Sequence, residues 1–251
     1  MNPPGPLLAV RGLSKVFGGI CAIDNLDMEL ARGQCLGIIG PNGAGKTALI
    51  NVISGFYRAD AGQLYFGGRE LSQMKLHQIG RLGIARTYQN IRVFRRMTVL
   101  ENVLVGVRGH ARQPLRSFLD WRARKAERDN ALALLRRFKL VERADVAAGT
   151  LAYGEARRLE IARALATRPR LLLLDEPAAG MNEEETGRLV EDIRACRDLI
   201  EGMILIEHDM SLITALAERV VAMDNGRKIA EGSADAVLGD DRVREAYLGI
   251  E

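Results

Sequence analysis

Residues 40–47 fit the pattern G-x-x-x-x-G-K-[ST], whose residue types suit the binding of phosphate groups. Small residues let backbone amides turn inward around phosphate oxygens, and a helix that starts at the end of the loop adds its partial positive charge. An apolar run, Cys35–Ile39, precedes the loop and helical spacing follows it, which is the context that the pattern requires. The segment therefore predicts a phosphate-binding loop of Gly40, Pro41, Asn42, Gly43, Ala44, Gly45, Lys46 and Thr47. Within it, we expect Lys46 to reach the β and γ phosphates of a nucleotide and the Thr47 hydroxyl to bind Mg²⁺.

A second group of reactive side chains follows the four leucines of residues 171–174, which end in Asp175 and Glu176. Pro169 and Pro177 bound this run, as expected for a strand covered on both faces in a parallel sheet. Asp175 is then placed to hold the magnesium shell, and Glu176 to orient and deprotonate an attacking water. An acidic pair after an apolar strand is often only a solvated turn, so the pair alone does not indicate a site. Together with the phosphate loop it indicates phosphoryl transfer, which needs a metal, a phosphate-binding loop and a base that positions water.

The elements that must position these residues alternate between strand and helix patterns. Short runs with period-two apolar spacing over the first forty residues predict a strand-rich lobe, which includes residues 8–10 and 22–30. Further strands are expected at 63–66, 203–206 and in a hairpin of 220–223 with 228–230, turned by Asn225-Gly226. Thr98 and Glu101 form a capping box that predicts a helix to about Val107. From Ser117 to Phe138, apolar residues recur at helical intervals among basic ones.

The chain is predicted to be a single α/β domain of 251 residues. Residues 1–90 and 165–251 would form the core with an antiparallel β lobe, and residues 91–164 an inserted helical lobe. Apolar residues make up 47% of the chain and charged residues 27%, which excludes the disordered, collagen-like and coiled-coil classes.

Compartment and partners are also limited by composition. No window approaches the roughly 20 apolar residues that cross a bilayer, and residues 1–6 lack the basic and apolar regions of a secretory signal. Three cysteines without CxxC spacing argue against a disulfide framework or a zinc site. We therefore expect a protein of the reduced cytoplasm.

Basic residues are concentrated between Arg108 and Arg143, a segment that contains eleven Lys or Arg residues and only four Asp or Glu residues. The segment is open to three interpretations: a plain solvated face, a surface near anionic lipid headgroups, or a nucleic-acid patch. Trp121 among basic neighbours is compatible with a position at a membrane interface. No specific nucleic-acid partner is expected.

Beyond the loop and the acidic pair, five stretches stand in the order found in ATP-binding-cassette ATPases, and the resemblance covers nearly the whole chain. They are Phe17-Gly18-Gly19, Tyr88-Gln89-Asn90, Leu151-Ala152-Tyr153-Gly154-Glu155, Ala178-Ala179-Gly180-Met181-Asn182 and Ile206-Glu207-His208-Asp209. The chain most resembles the ATP-binding subunits of bacterial branched-chain amino acid importers, through residues 83–90, 178–182, 206–210 and 246–249. This resemblance implies a phosphate-loop NTPase cassette with a parallel RecA-like core sheet, an N-terminal antiparallel β lobe and a helical signature subdomain.

The resemblance assigns roles to single residues. Phe17 would stack on adenine, a contact worth about 1 kcal/mol. Gln89 would contact Mg²⁺ and report the γ-phosphate to membrane subunits. His208 would reach the γ-phosphate or hold the water beside Glu176. ATP and Mg²⁺ are the implied cofactors.

Residues Ala152, Tyr153, Gly154 and Glu155 belong to the stretch that resembles the family signature, which would contact ATP bound to a second cassette subunit. Ala152 stands in place of the usual Ser, although Ala is common here in the branched-chain amino acid branch. Ala48 stands where a second Thr often contacts the α-phosphate. Each lost hydrogen bond to a charged group costs about 1.5–3 kcal/mol, so we expect weaker binding or slower turnover.

The implied activity is ATP hydrolysis that powers uptake of branched-chain or related hydrophobic amino acids. The implied partners are a second ATPase subunit in a homo- or heterodimer, transmembrane permease subunits at the inner face of the membrane, and indirectly a periplasmic or extracellular binding protein. Three alternatives stay open: the ATPase of a lipopolysaccharide-export system, a soluble ATPase acting on ribosomes or DNA, and a nucleotide-binding regulator without hydrolysis. The export ATPase normally keeps Ser at the position of Ala152, and the soluble ATPases generally need more chain than 251 residues.

Overall fold

The computed structural model describes residues 5–109 and 121–248, which form strands and helices that largely alternate along the chain. The strands are β1 (Leu8–Phe17), β2 (Ile20–Leu30), β3 (Cys35–Ile39), β4 (Ala61–Phe66), β5 (Arg69–Glu70), β6 (Ile84–Arg86), β7 (Leu171–Asp175), β8 (Gly202–Ile206), β9 (Arg219–Asp224) and β10 (Arg227–Gly232). The helices are α1 (Lys46–Ile53), α2 (Leu76–Arg81), α3 (Val99–Gly109), α4 (Trp121–Arg137), α5 (Tyr153–Ala166), α6 (Glu183–Arg194), α7 (Met210–Leu216), α8 (Ala234–Leu238) and α9 (Asp241–Leu248).

The larger sheet carries the phosphate loop and the acidic pair. Its strand order is β10-β9-β3-β8-β7-β6, and β9, β3, β8, β7 and β6 pair in parallel. All residues of β3, β7 and β8 are buried, which explains their nearly continuous apolar sequences. The carboxyl ends of these three neighbours lie at one edge, where open α/β sheets bind ligands.

Two hydrophobic cores cover the faces of this sheet, and the strand period of two divides its residues between them. Leu171 and Leu173 pack in the core shared with β1, β2 and α1, whereas Leu172 and Leu174 pack in the core shared with α3 to α7. The smaller sheet, of order β2-β1-β4-β5, is antiparallel and lies over the first core. The α/β architecture expected from the sequence is confirmed.

The helices α3 and α5 pack closely beside the larger sheet. A side chain at Gly106 of α3 would place its Cβ only 2.4 Å from the Arg163 carbonyl oxygen of α5, so this crossing requires a glycine. The capping box before α3 is confirmed, since the Thr98 amide donates to Glu101 Oε2 over 2.7 Å and the Glu101 amide donates to Thr98 Oγ1 over 3.1 Å.

Several boundaries differ from the sequence expectations. The first strand extends to Phe17 because three register shifts against β2 interrupt the alternation on which its prediction depended. The three-residue strand β6 was missed, since it is too short to show a period. The hairpin turn is confirmed, with φ of 45° at Asn225 and 79° at Gly226.

Part of the predicted helical and basic segment, residues 110–120, lies outside the described residues, and α4 begins at Trp121. The Trp121 side chain is exposed. Within residues 5–109 and 121–248, no helix combines the length and apolar character needed to span a bilayer.

Candidate functional site

The phosphate loop joins the end of β3 to the start of α1. Its first residue, Gly40, has a φ of 150°, and a Cβ there would lie 2.1 Å from the Met223 carbonyl oxygen. Gly45, which precedes α1, has a φ of 97°, and a Cβ would lie 2.2 Å from the Ala22 carbonyl oxygen. Both positions therefore require glycine, for backbone conformation and for space. The loop ends at the amino terminus of α1, as the motif requires.

Lys46 is turned onto the loop that precedes it. Its Nζ donates to the carbonyl oxygens of Gly40 over 2.6 Å and Pro41 over 2.8 Å. Burial lowers the pKa of Lys46, and the nearby charges of Glu176 and Asp175 oppose that shift. The ammonium group thus stands between the loop and the acidic pair, where it can contact an anion bound to the loop.

A cleft of about 370 Å³ opens beside the loop. Its lining comprises Phe17, Ala22, Asn42, Gly43, Ala44, Gly45, Lys46, Thr47, Ala48, Asn51, Tyr57 and Glu176. The structure thereby brings the predicted Phe17, six of the eight loop residues, Ala48 and Glu176 to one cavity. Thr47 is exposed and Ala48 is half-buried.

Tyr57 is a residue of this cleft that sequence reasoning missed. Its ring meets the Phe17 ring edge to face, with centroids 4.9 Å apart. Phe17 lies at the end of β1 and Tyr57 follows α1, so only the folded chain brings the two rings together. They form an aromatic wall that suits a planar base.

Glu176 is held from two sides. Gln89 Nε2 donates to Glu176 Oε2 over 2.6 Å, and His208 Nε2 lies 2.8 Å from Glu176 Oε1. The Glu176 backbone has a φ of 47°, and its amide donates to the Ile206 carbonyl oxygen over 2.9 Å. The three side chains singled out from separate stretches of sequence therefore meet at the carboxyl ends of β7 and β8.

Asp175 has a partner that the sequence did not indicate. Arg86 NH2 donates to Asp175 Oδ2 over 2.8 Å, and both side chains are buried. Arg86 NH1 also donates to Asn51 Oδ1 over 2.5 Å and to Ser54 Oγ over 3.3 Å, both at the carboxyl-terminal end of α1. Arg86 stood within a stretch used for the family resemblance, but its residue type alone carried no signal of this contact.

The segment that carries Gln89 is fastened to α5. Arg157, which is fully buried, donates to the carbonyl oxygens of Tyr88 and Gln89, each over 2.6 Å, and pairs with Glu160 over 2.8 Å. Glu160 in turn accepts from the Arg92 amide over 3.0 Å. Burial raises the pKa of Glu160, and Arg157 opposes that shift. The backbone of Gln89, whose side chain contacts Glu176, is thus held by hydrogen bonds from Arg157 of α5.

The signature-like residues start α5. Ala152 precedes the helix, and its amide donates to Glu155 Oε2 over 3.1 Å. Tyr153 is exposed, Gly154 is buried, and the Tyr153 ring lies against Gly180. Among the residues that the structure describes, the lining of the loop cleft includes none from 151–155. The structure therefore places this stretch outside the cleft of its own chain.

Glu207 links the backbone segments on either side of the Glu176–His208 contact, and it too was missed as a site residue. Its carboxylate accepts from the Ala178 amide over 2.7 Å and from the His208 amide over 3.1 Å. Burial raises the pKa of Glu207 despite these hydrogen bonds. The carboxylate positions the backbone on both sides of the Glu176–His208 contact.

The donor set suits a hard divalent cation. Thr47 supplies a hydroxyl oxygen, Gln89 an amide oxygen and Asp175 a carboxylate oxygen, and such oxygens are the ligands that Mg²⁺ accepts. Thr47 lines the loop cleft itself. Asp175 immediately precedes Glu176, and Gln89 contacts the Glu176 side chain, but neither lines the cleft itself.

Comparisons with known proteins agree with this geometry. The family model described as ABC transporter matches residues 23–179, and the model described as branched-chain amino acid ATP-binding cassette transporter matches residues 227–251. The chain is 42% identical over 250 residues to the high-affinity branched-chain amino acid transport ATP-binding protein LivG of Salmonella typhimurium, covering 97% of this chain and 98% of LivG. It is 39% identical over 252 residues to the corresponding protein BraF of Pseudomonas aeruginosa, with the same coverage of 97% and 98%.

A solved structure shares the fold over nearly the whole length. The crystal structure of the ADP conformation of an ATP-binding cassette of an ABC transporter is 33% identical, with a TM-score of 0.86 and coverage of 98% of this chain and 99% of that one. Family model, relatives and fold therefore agree with the phosphate loop and its acidic partner. The chain belongs to the ABC transporter family, as one of its ATP-hydrolysing cassettes.

Proposed function

We propose that the chain is the ATP-hydrolysing subunit that powers an importer of branched-chain or related hydrophobic amino acids. The observation that carries the proposal is the carboxylate of Glu176, held by Gln89 and His208 at the edge of the phosphate-loop cleft. The substrate class is supported by the printed names of LivG and BraF and by the second family model over residues 227–251.

In this proposal the loop residues 40–47 hold the triphosphate. The amides at the start of α1 and the Lys46 ammonium offset the charge of the β and γ phosphates, while Phe17 stacks on adenine and Ala48 lies near the α-phosphate. Thr47, Gln89 and Asp175 would hold Mg²⁺, which when bound offsets negative charge on the phosphate oxygens.

Glu176 is proposed as the general base. A carboxylate oxygen can accept more than one hydrogen bond, so each oxygen that already contacts Gln89 or His208 still has capacity for the attacking water. Glu176 would take the proton of that water as the bond to the γ-phosphorus forms. His208 would hold the carboxylate in place, and its exposed ring would also contact the γ-phosphate.

A second cassette subunit completes the site in this proposal. The residues Ala152, Tyr153, Gly154 and Glu155 lie outside the cleft of their own chain and start a helix, whose free amides suit a phosphate. They would contact the ATP bound by the other subunit of a homo- or heterodimer. Ala152 contributes no hydroxyl, so the contact with the γ-phosphate would be made by backbone amides.

The permease subunits are proposed to dock on a groove of about 610 Å³ beside the Gln89 segment. Its lining includes Tyr88, Arg92 and two exposed apolar residues, Phe94 and Val105. An exposed apolar groove next to the side chain that contacts Glu176 suits a partner that responds to ATP. We propose that residues 91–164 form a helical lobe that contributes to this face together with residues in and around β6. The face would lie at the cytoplasmic side of the membrane, with a periplasmic or extracellular binding protein acting from the other side.

Reconstitution tests the proposal. The chain is co-purified with permease subunits of a branched-chain amino acid importer from the same organism, placed in proteoliposomes that contain Mg-ATP, and supplied with the matching binding protein and radiolabelled leucine. We expect leucine uptake that depends on ATP and that the Glu176→Gln variant lacks. ATP hydrolysis that is stimulated by lipopolysaccharide, and not by the loaded binding protein, would contradict the importer assignment.

A further inference from the structure

A buried guanidinium lies against the carboxylate to which the proposed function gives a magnesium role. Arg86 ends β6, beside Leu173 of β7, and its NH2 lies 2.8 Å from Asp175 Oδ2. The side chains of Arg86 and Asp175 are only 8% and 6% exposed. This pair is therefore almost entirely removed from water.

Arg86 is fixed in place by neighbours other than Asp175. Its NH1 donates to Asn51 of α1 and to Ser54, which follows that helix, and its guanidinium lies 4.9 Å from the centre of the Tyr88 ring. The Arg86 Nε is buried without a hydrogen-bond partner, which is a cost that the structure bears to keep the group there. The position of the charge is thus set by the fold as well as by the carboxylate.

One short segment holds both carboxylates of the acidic pair. Arg86 binds Asp175, and Gln89, three residues later, binds Glu176. The other cation close to the pair, Lys46, is bonded to the carbonyl oxygens of the loop. Among the residues that the structure describes, the cation in direct contact with Asp175 is therefore Arg86 and not Lys46.

A buried carboxylate without a counter-charge is costly, and a cation that meets it offsets that cost. At Asp175 the Arg86 guanidinium supplies that positive charge. When Mg²⁺ approaches the same carboxylate, the guanidinium and the metal repel each other. The effective dielectric constant of such sites is about 20, well below that of water, so this repulsion is only partly screened. The guanidinium that offsets the buried charge of Asp175 therefore opposes the binding of a metal to the same carboxylate.

We propose that Arg86 is a positioning residue that neutralises Asp175 in the metal-free state and thereby raises the Mg²⁺ concentration needed for the nucleotide and the metal to bind together. The inference rests on the proposed role of Asp175 in holding Mg²⁺. It concerns a property of the binding equilibrium, so it is measurable without hydrolysis.

The test uses the full chain and ADP, titrated by calorimetry at stepwise concentrations of free Mg²⁺. The Arg86→Met variant removes the charge, Arg86→Gln removes it while keeping a donor toward Asp175 and Asn51, and Arg86→Lys keeps it. The quantity compared is the Mg²⁺ concentration at which half of the Mg²⁺-dependent change in ADP affinity is reached. We expect both neutral variants to lower this concentration by about fivefold or more, and Arg86→Lys to stay within about twofold of the parent chain. ADP affinity in EDTA should be the same for all of them.

The Asp175→Asn variant distinguishes failure of the inference about Arg86 from failure of the proposed metal role of Asp175. If it abolishes the effect of Mg²⁺ on ADP affinity while the neutral Arg86 variants leave the half-effect concentration unchanged or raise it, the inference about Arg86 is wrong and the role of Asp175 stands. If Asp175→Asn leaves the Mg²⁺ effect intact, the metal role of Asp175 in the proposed function is wrong. Where Arg86→Met does not fold, Arg86→Gln is held to the same fivefold criterion.

Discussion

His208 Nε2 lies 2.8 Å from Glu176 Oε1, although the two residues follow different strands, β8 and β7. The register explains the contact: Asp175 of β7 pairs with Ile206 of β8, so the residues that follow each strand end emerge side by side. Glu176 turns toward His208 through a left-handed backbone with a φ of 47°. Such a conformation costs of the order of 1–3 kcal/mol in a non-glycine residue, which is typical of sites where side-chain placement matters more than stability.

The Glu176→Gln variant tests the assignment of the general base. It keeps the size of the side chain and removes the proton acceptor, so we expect ATP to bind with unchanged affinity and turnover in the assembled transporter to fall by about 10²–10⁴. Steady-state hydrolysis and nucleotide titration measure the two effects. The exposed Glu183, at the start of α6, supplies the matched control Glu183→Gln, which should hydrolyse normally. Normal turnover in Glu176→Gln would remove Glu176 from this role.

The Lys46→Ala variant tests the phosphate loop. Loss of a hydrogen bond to a charged group costs about 1.5–3 kcal/mol, so we expect the Kd for ATP to rise by about 10–150-fold. Calorimetric titration of Mg-ATP into the purified chain gives this value. Lys75→Ala, at an exposed residue before α2, is the control and should bind as the parent chain does. Equal affinities for the two variants would refute the loop assignment.

Tyr57→Leu tests the aromatic wall of the cleft. The edge-to-face contact with Phe17 places Tyr57 beside the expected position of the base, and an aromatic contact is worth about 0.5–1.5 kcal/mol. We expect the Kd for ATP to rise by about 2–10-fold, while the affinity for inorganic triphosphate stays the same. Competition binding with both ligands distinguishes them. An equal loss for ATP and triphosphate would mean that Tyr57 supports the loop and not the base.

The buried Glu207 predicts a specific pH dependence of stability. Its pKa is raised above the ordinary value of 4.5 by burial, so the folded state binds its proton more tightly than the unfolded state. The stabilisation that protonation gives is complete below the unfolded pKa and is lost as the pH rises through the raised, folded pKa. Relative to Glu207→Gln, the parent chain should therefore lose unfolding free energy as the pH rises from acid toward neutral.

Urea denaturation of the two chains at several pH values measures that difference. The comparison cancels the titration of the other groups, because Glu207 is the only position that differs. A difference that is constant with pH, or that favours the parent chain more strongly at neutral pH, would contradict the raised pKa.

The parts of the structure that sequence reasoning reached are those encoded locally. The phosphate loop, the buried runs of β3, β7 and β8, and the Thr98–Glu101 capping box each depend on residues within a short stretch, and the structure places all of them as expected. The order of the family-like stretches placed His208 beside Glu176, and parallel pairing of the strand ends is the physical basis of that contact. The contact between Gln89 and Glu176 was not predicted, because the sequence assigned Gln89 to Mg²⁺ and the γ-phosphate.

The parts that were missed depend on contacts between distant segments. Arg86 and Asp175 are 89 positions apart, and Arg157 and Tyr88 are 69 positions apart. An arginine within a basic chain gives no sign of which carbonyl or carboxylate it meets. The partner is fixed only by the pairing of β6 with β7 and by the packing of α5 beside the sheet. Tyr57 escaped notice for the same reason, since its ring meets Phe17 only when α1 packs against the smaller sheet.

A crystal structure of the chain with magnesium and a non-hydrolysable ATP analogue tests the central claim most directly. We expect the β-phosphate within hydrogen-bonding distance of the backbone amides of residues 43–47, the base against Phe17, and Glu176 facing the γ-phosphate. An analogue bound elsewhere, with the loop of residues 40–47 holding no phosphate, would contradict the account.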